Sequence, residues 1–149
     1  MVCITGPSAT TTPSTGGKHT VRHLFYVGKA DPKKFGNSLF SRLGQHRKSI
    51  AASSNLNVED FQCRYIIVDD VWIPFGEQLL IDMFKPIWNE QIRGFGSNPL
   101  GKERITQTPS NWDLLHPGRQ RSTNPTNAAA LAVLEVKLKK YLEALGDEN

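Results

Sequence analysis

The stretch HLFYVGKA at residues 23–30 decides how the rest of this 149-residue chain is interpreted. Its β-branched and aromatic residues are typical of a strand, and we expect Asp31-Pro32 to end that strand because proline cannot extend a ladder. Side chains alternate along a strand, so Tyr26 and Gly28 share a face, and the glycine leaves open space before the phenol. A tyrosine there can contact a phosphate or position water. The plainer alternative is a core tyrosine with its hydroxyl at the edge.

The elements around this strand predict a small α+β domain. Upstream, VCIT at 2–5 is a short apolar start, and the Gly-, Ser- and Thr-rich residues 6–20 predict a loop. Downstream, helical spacing predicts a first helix from Ser38. FQCRYIIVDD at 61–70 predicts a strand, and IPFGEQLLIDMFKP at 73–86 predicts a second helix. The apolar side chains of that helix form one stripe, which we expect to be buried: Leu79, Leu80, Met83, Phe84 and Ile87.

The chain divides into residues 1–125 and 126–149. Residues 88–125 show little periodicity and many Gly, Pro and Asn residues, so we predict an irregular arm within the first division. Residues 126–149 begin with a capping residue and predict an amphipathic helix that ends at Gly146. This order of elements at this length is typical of a single domain.

Composition and charge narrow the class of protein. With 38% hydrophobic residues and no apolar run near about 18 residues, the chain is predicted to be soluble and without a membrane segment. No signal peptide is visible, which predicts a cytoplasmic location, and Cys3 and Cys63 are expected to be reduced thiols. Residues 1–66 hold nine Lys and Arg against three Asp and Glu. On charge alone, two hypotheses are about equally favoured: that the protein binds nucleic acid, and that it has no anionic partner.

Four side chains outside the tyrosine strand are candidates for phosphate chemistry. Arg42 and His46 are four residues apart and stack on one helix face, where a guanidinium fork suits phosphate oxygens. The alternative for that pair is an ordinary solvated helix edge. Glu77 is predicted in the first turn of the second helix, where it either binds Mg²⁺ or complements the helix dipole. Asn89 follows that helix and can bond to a phosphate, a water or a backbone group.

Basic residues mixed with aromatic residues and glycines punctuate the arm. This mixture fits a loop that follows a nucleic-acid backbone or enters a groove, and a solvated polar loop is the competing interpretation. The side chains that we predict to contact DNA, in the arm and before it, are Lys29, Arg47, Lys48, Arg93, Arg104, Arg119 and Arg121.

Taken in order, these motifs resemble the GIY-YIG nuclease superfamily. YVG at 26–28 stands in place of the family's Tyr-Ile-Gly motif, and Arg42 follows within SRLGQH. Glu77 on the second helix and Asn89 in WN come next. One branch, the type II restriction endonucleases that cut a GC-only palindrome, is similar in further stretches: GFG at 94–96 and WDLLHPGR at 112–119.

The resemblance implies a three-stranded antiparallel sheet flanked by helices, and hydrolysis of phosphodiester bonds in double-stranded DNA. It implies one divalent cation, Mg²⁺ or another such as Mn²⁺, on Glu77, and a water that attacks phosphorus with help from a tyrosine. Arg42 would stabilise charge and Tyr26 would position the nucleophile or the phosphate. His46 and Asn89 would support the site. A homodimer is expected because a palindromic site matches two-fold symmetry.

One departure from the family concerns its first motif. The family opens with a Gly-Ile-Tyr strand whose tyrosine is usually given the proton-accepting role, and no tyrosine precedes Tyr26 here. If Thr5-Gly6 marks the end of the first strand, the missing tyrosine falls at or just before Met1. We therefore expect an N-terminal truncation or a start set too late. The alternatives to a restriction endonuclease are a catalytically impaired DNA-binding remnant and a GIY-YIG repair or mobile-element nuclease.

Overall fold

The computed structural model describes residues 1–11, 19–30, 38–97, 108–119 and 128–147. Within these ranges, three antiparallel strands in the order β2-β1-β3 are flanked by five α-helices, which confirms the predicted α+β fold. The strands are β1 (Val2–Thr11), β2 (His19–Gly28) and β3 (Gln62–Tyr65). The helices are α1 (Ser38–Ala51), α2 (Ile73–Phe84), α3 (Ile87–Glu90), α4 (Asn111–Leu115) and α5 (Ala128–Asp147).

The β1-β2 hairpin is longer than the sequence predicted. Pairing continues as far as Thr11 opposite His19, so the loop predicted at 6–20 is wrong for 6–11 and 19–20. Gly6 and Pro7 fall at an irregularity in the register between Thr5 and Ser8, and pairing resumes at Ser8 opposite Arg22. Thr5-Gly6 consequently lies within β1, at a shift in the register, and does not end the strand. Residues 12–18 of the predicted loop and the predicted stop at Asp31-Pro32 lie outside the described residues.

The third strand is shorter than predicted. β3 pairs with β1 only from Val2–Tyr65 to Thr5–Gln62, and Met1 and Ile66 exchange two further main-chain hydrogen bonds of 2.7 and 3.0 Å. Beyond Ile66 the chain leaves the sheet and forms a 3₁₀ turn at Asp70–Trp72 before α2. The predicted strand at 61–70 is therefore correct in place and too long at its end.

The two helices predicted from periodicity are confirmed. α1 starts at Ser38, and α2 has proline in its first turn, where a missing N–H leaves no bond unmade. α2 ends where Lys85 adopts a left-handed conformation (φ 41°) ahead of Pro86. The last helix is confirmed as well, although α5 runs through Gly146 to Asp147.

The predicted irregular arm contains ordered structure. α4 and all of α3 except Ile87 lie inside it, so the expectation of an irregular segment is wrong at 88–90 and 111–115. Both helices are too short to be stable alone and exist because each inserts a tryptophan into the core. Trp88 of α3, Phe95 and Trp112 of α4 are at most 2% exposed, and we call these three residues the aromatic hub. Their ring centroids lie 4.5 to 5.7 Å apart.

The outward side of α2, together with the 3₁₀ turn that precedes it, is apolar and exposed. Val71, Trp72, Phe75, Leu79 and Met83 are between 49% and 76% exposed, and we call this set the α2 outer face. The expected burial of the stripe is therefore wrong for Leu79 and Met83, and also for Phe84, which is 54% exposed. Periodicity identified side chains that share a face of the helix, but α2 is apolar around much of its circumference and only one side meets the sheet.

Two further expectations concern membrane segments and cysteines. None of the helices in the described ranges combines the length and the apolarity that crossing a membrane requires. Cys63 lies in β3 as predicted, next to Cys3 on β1, and both are free thiols.

Candidate active site

Tyr26 lies near the end of β2 with its hydroxyl in a narrow slot between two glycines. The residue is 7% exposed, and its ring packs edge-on against Phe95, 4.9 Å between centroids. A Cβ atom on Gly28 would approach the hydroxyl oxygen to 2.5 Å, and one on Gly96 would overlap it. Only residues without a side chain leave this slot open. The hydroxyl itself fills the space beside Gly28, so the predicted open space is absent and Tyr26 is a core residue, as in the plainer alternative. A second glycine, from the GFG turn, lines the same slot.

Arg42, in the second turn of α1, reaches the same slot. Its Nη2 donates to the Gly96 carbonyl at 2.5 Å and makes a longer contact of 3.5 Å with the Tyr26 hydroxyl. Nη1 donates to Gln45 at 3.3 Å. Nε is buried and has no acceptor among the described residues. A buried donor without a partner is uncommon in proteins.

His46 lies one helical turn after Arg42 and is enclosed. The residue is 3% exposed, with its ring stacked on Phe95 at 4.9 Å and edge-on to Tyr26 at 5.1 Å. Burial, helped by the positive charges of Arg42 and Arg119, lowers the pKa of His46 to about 4. The imidazole is therefore neutral at physiological pH, and its buried Nε2 has no hydrogen-bond partner in the described part of the chain.

Glu77 supplies the negative charge of the site. Its carboxylate lies 3.9 Å from the Lys29 ammonium group, and the Glu77 side chain is 24% exposed. α2 begins at Ile73, which puts Glu77 in the second turn and not the first as predicted. The helix-dipole alternative weakens accordingly, because that effect is confined to the first turn.

The charges of Arg42 and Glu77 both act on the Tyr26 phenol. Burial is the largest influence and raises the pKa of Tyr26 above its ordinary value. Arg42 lowers it through its charge and its hydrogen bond, and Glu77 raises it again. A phenol with a raised pKa stays protonated at neutral pH, so it donates a hydrogen bond and is unsuited to accept a proton as a base. Tyr26 and Arg42 are thus in contact, and the charge of Glu77, on α2, acts on the same phenol.

Asn89 is not directed at the Tyr26 slot. Its side-chain amide faces Val27 on the outer edge of β2, where Oδ1 accepts from the Val27 N–H and Nδ2 donates to the Val27 carbonyl, both at 2.8 Å. The amide therefore occupies the place of a neighbouring strand. Of the bonding partners considered from the sequence, this geometry selects a backbone group, and a direct contact of Asn89 with phosphate does not fit it.

The carboxylate of Glu77 fits a weakly held divalent cation. Among the described residues, no group of three or more His, Cys, Asp and Glu side chains is placed to hold a metal ion. Mg²⁺ keeps several of its waters and is often bound by one or two carboxylates together with substrate phosphate. A single, partly exposed carboxylate satisfies that requirement, so Glu77 is the residue that would hold the ion.

The side chains predicted to contact DNA fall into three groups. Arg47, Lys48 and Arg93 are exposed and Lys29 is half-buried, so these four are accessible to a phosphate backbone. Arg104 and Arg121 lie outside the described residues. The side chain of Arg119 is 7% exposed, ion-paired with Asp113 at 2.7 Å, and stacked over the Trp112 ring at 4.4 Å. Arg119 is therefore inaccessible to DNA in this conformation, contrary to the prediction.

Sequence reasoning missed two contributors to the site. The Gly96 carbonyl anchors Arg42, and the Phe95 ring supports both Tyr26 and His46. The GFG turn at 94–96 was noted only as part of a family resemblance, and its spacing gives no sign that a backbone oxygen would act. An apolar residue flanked by two glycines was the available signal, because such a turn lets the backbone approach other groups closely.

Comparison with known protein families agrees with this geometry. A family model described as "Eco29kI GIY-YIG domain" matches residues 11–142. No individually curated protein matches the chain significantly. The matched range includes the Tyr26 slot, Glu77, both short helices of the arm and most of α5.

Proposed function

The chain belongs to the family of the Eco29kI GIY-YIG restriction endonuclease domain, and from this premise we propose that it cuts double-stranded DNA at a specific site with a divalent cation. The observation that carries the proposal is the contact of a phenol and a guanidinium beside Gly28 and Gly96, with a single carboxylate, paired with Lys29, close enough for its charge to act on the phenol. Phosphodiester hydrolysis requires charge neutralisation and positioning, which this set supplies. The site of action would be the cytoplasm. A match to a nuclease domain favours cleavage over the alternative of a DNA-binding remnant.

Each side chain contributes a distinct part of the chemistry. Protonated Tyr26 would donate a hydrogen bond to a phosphate oxygen and so position the phosphate, while Arg42 would stabilise the negative charge that grows on phosphorus-bound oxygens. Neutral His46 holds the ring of Tyr26 from behind without adding charge. A divalent cation held by Glu77, water and substrate phosphate would polarise the phosphate and the leaving group.

Removing the carboxylate tests this proposal. Glu77→Gln is expected to lower the rate of plasmid cleavage in Mg²⁺ by at least about 100-fold, because the metal ligand is lost while the shape is retained. DNA binding, measured by fluorescence anisotropy in EDTA, should change little. Glu59→Gln, on an exposed 3₁₀ turn, is the matched control and should cut normally. Absence of discrete plasmid fragments from the unaltered chain in both Mg²⁺ and Mn²⁺ would contradict the proposal.

We also propose that the recognition site is a GC-only palindrome, which rests on the similarity of GFG at 94–96 and WDLLHPGR at 112–119 to that branch. Sequencing the ends of fragments from a plasmid library reads the site directly. Ends that share a palindrome of G and C support the proposal, and ends with an asymmetric or A/T-containing site contradict it.

A palindromic site matches a two-fold symmetric protein, and we propose that two copies associate through the α2 outer face. Its five apolar side chains expose roughly 470–780 Å², if each has an ordinary area of about 150–250 Å². Specific interfaces bury roughly 600–1,000 Å² per partner, whereas the largest apolar patch on a typical monomer covers about 300–600 Å². A second copy supplies an identical, uncharged face of matching size.

Sedimentation velocity tests this association. The unaltered chain is expected to sediment as a dimer at micromolar concentration, and Phe75→Glu as a monomer, because it places a charge within the contact. Phe40→Glu is the matched control, since Phe40 is 79% exposed on α1, away from α2. A monomeric unaltered chain would contradict the proposal, as would a Phe75→Glu variant that remains dimeric. If this face were instead covered by another segment of a longer chain, the protein would also sediment as a monomer.

A further inference from the structure

Two arginines hold three successive carbonyl groups of the turn at Gly94-Phe95-Gly96. Arg119 donates from Nη2 to the Gly94 oxygen at 3.1 Å and from Nη1 to the Phe95 oxygen at 3.0 Å. Arg42 donates to the Gly96 oxygen at 2.5 Å. The turn is thus fixed from one side by Arg119 and from the other by the guanidinium that contacts Tyr26.

The surroundings of Arg119 are built to keep it in place. Its side chain is 7% exposed, and that of its partner Asp113 is 9% exposed. Nε donates to Asp113 at 2.7 Å and Nη1 also donates to the Ser49 hydroxyl at 3.2 Å. The guanidinium lies over the Trp112 ring. A buried charge with this many partners has a fixed position, and the planar fork of arginine is what allows one side chain to meet all of them.

From this geometry we propose that Arg119 is a positioning residue for the nuclease site and acts through the 94–96 turn. The Gly96 carbonyl anchors Arg42, and Phe95 supports the rings of Tyr26 and His46. Gly96 also borders the slot that holds the Tyr26 hydroxyl. A shift of the turn would therefore displace Arg42 and narrow the slot together. This inference rests on the proposed nuclease function, and it assigns Arg119 to the protein interior and not to DNA.

Two measurements, the cleavage rate and the salt dependence of DNA binding, distinguish a positioning role of Arg119 in the protein interior from a direct contact of Arg119 with DNA. Arg119→Met is expected to lower the single-turnover cleavage rate at saturating DNA by about 100-fold, the effect of a small displacement of catalytic groups. The slope of log binding constant against log salt should stay unchanged. Loss of a phosphate contact would instead reduce that slope by about 0.9. The exposed Arg93→Met serves as the comparison variant and should show such a reduction.

A lysine at the same position tests whether the fork is required. Arg119→Lys keeps the charge but cannot reach Asp113, Ser49 and two carbonyls together, so its rate should fall nearly as far as that of Arg119→Met. If Arg119→Met does not fold, Arg119→Lys alone decides. Hydrogen exchange of the amides at 94–97 should quicken in both variants. A variant that folds, cuts at the full rate and loses slope would overturn the proposal, as would unchanged exchange at 94–97.

The test also distinguishes this inference from the proposed function. If the unaltered chain binds DNA without cutting it, the proposed function fails, and the salt slope and the exchange at 94–97 still report on Arg119. An unchanged slope with faster exchange would then support the interior assignment of Arg119, whereas a reduced slope with unchanged exchange would refute it.

Discussion

The aromatic hub and the α2 outer face contain similar side chains in opposite settings. The three hub residues, Trp88, Phe95 and Trp112, are at most 2% exposed and touch one another. Trp72 and Phe75 are more than half exposed, and their ring centroids lie 6.3 Å apart. The hub fixes the turn that anchors Arg42, so its rigidity serves the site. The outer face supports nothing within the described chain. Apolar side chains thus occupy two settings here, one inside the domain and one at its surface.

Among single substitutions, the largest expected effect comes from removing a ring of the aromatic hub. Phe95→Ala should lower the free energy of unfolding by about 3–5 kcal/mol, because it leaves a cavity between His46 and the two tryptophans. Urea denaturation followed by tryptophan fluorescence measures the change. A loss below about 1 kcal/mol would show that the hub does not depend on this ring.

Acid should weaken the hub without any mutation. Burial lowers the pKa of His46 and of His116 from 6.5 to about 4, the latter against the opposite influence of Asp113. Below pH 6.5 the two histidines take up protons in the unfolded chain but not in the folded chain. The stability contribution of the two neutral, buried histidines is therefore complete above pH 6.5. It declines by about 1.4 kcal/mol per histidine for each pH unit between 6.5 and 4.

Denaturation curves at pH 7, 5.5 and 4.5 measure this dependence. His116→Asn removes one titrating group, so its unfolding free energy should fall less steeply with acid than that of the unaltered protein. Equal steepness in the two proteins would contradict the lowered pKa of His116.

A smaller effect is expected where α3 meets the sheet. Asn89→Asp keeps the acceptor for the Val27 N–H but loses the donor to the Val27 carbonyl, which should reduce stability by about 1–3 kcal/mol. Hydrogen exchange at Val27 reports the loosened edge. Asn57→Asp is the matched control, since Asn57 only accepts a bond, from Glu59 N–H, and aspartate caps equally well.

The smallest effect is expected on the α2 outer face, which sharpens the comparison. Phe75→Ala makes the same chemical change as Phe95→Ala, yet it should alter the stability of the monomer by less than about 0.5 kcal/mol. The measurement requires protein dilute enough to dissociate any dimer. A loss comparable with that of Phe95→Ala would mean that Phe75 is packed in the monomer.

The sequence predicted the parts of the site that depend on local order. Tyr26 beside Gly28 follows from strand alternation, and Arg42 with His46 follows from helical spacing. The sequence did not predict which distant residues contact these side chains. The bonds of Asn89 to Val27 and of Arg119 to Ser49 join residues 62 and 70 positions apart, and no local pattern encodes such pairings. For the same reason, periodicity placed Leu79 and Met83 on one face and left open whether anything covers it.

The slot between Gly28 and Gly96 offers a position where one substitution should abolish cleavage and leave DNA binding intact. A methyl group added by Gly96→Ala would occupy the space of the Tyr26 hydroxyl while leaving the exposed basic side chains of α1 untouched. For an enzyme that works as proposed, this single substitution would give a variant that still binds the recognition sequences in genomic DNA but does not cut either strand.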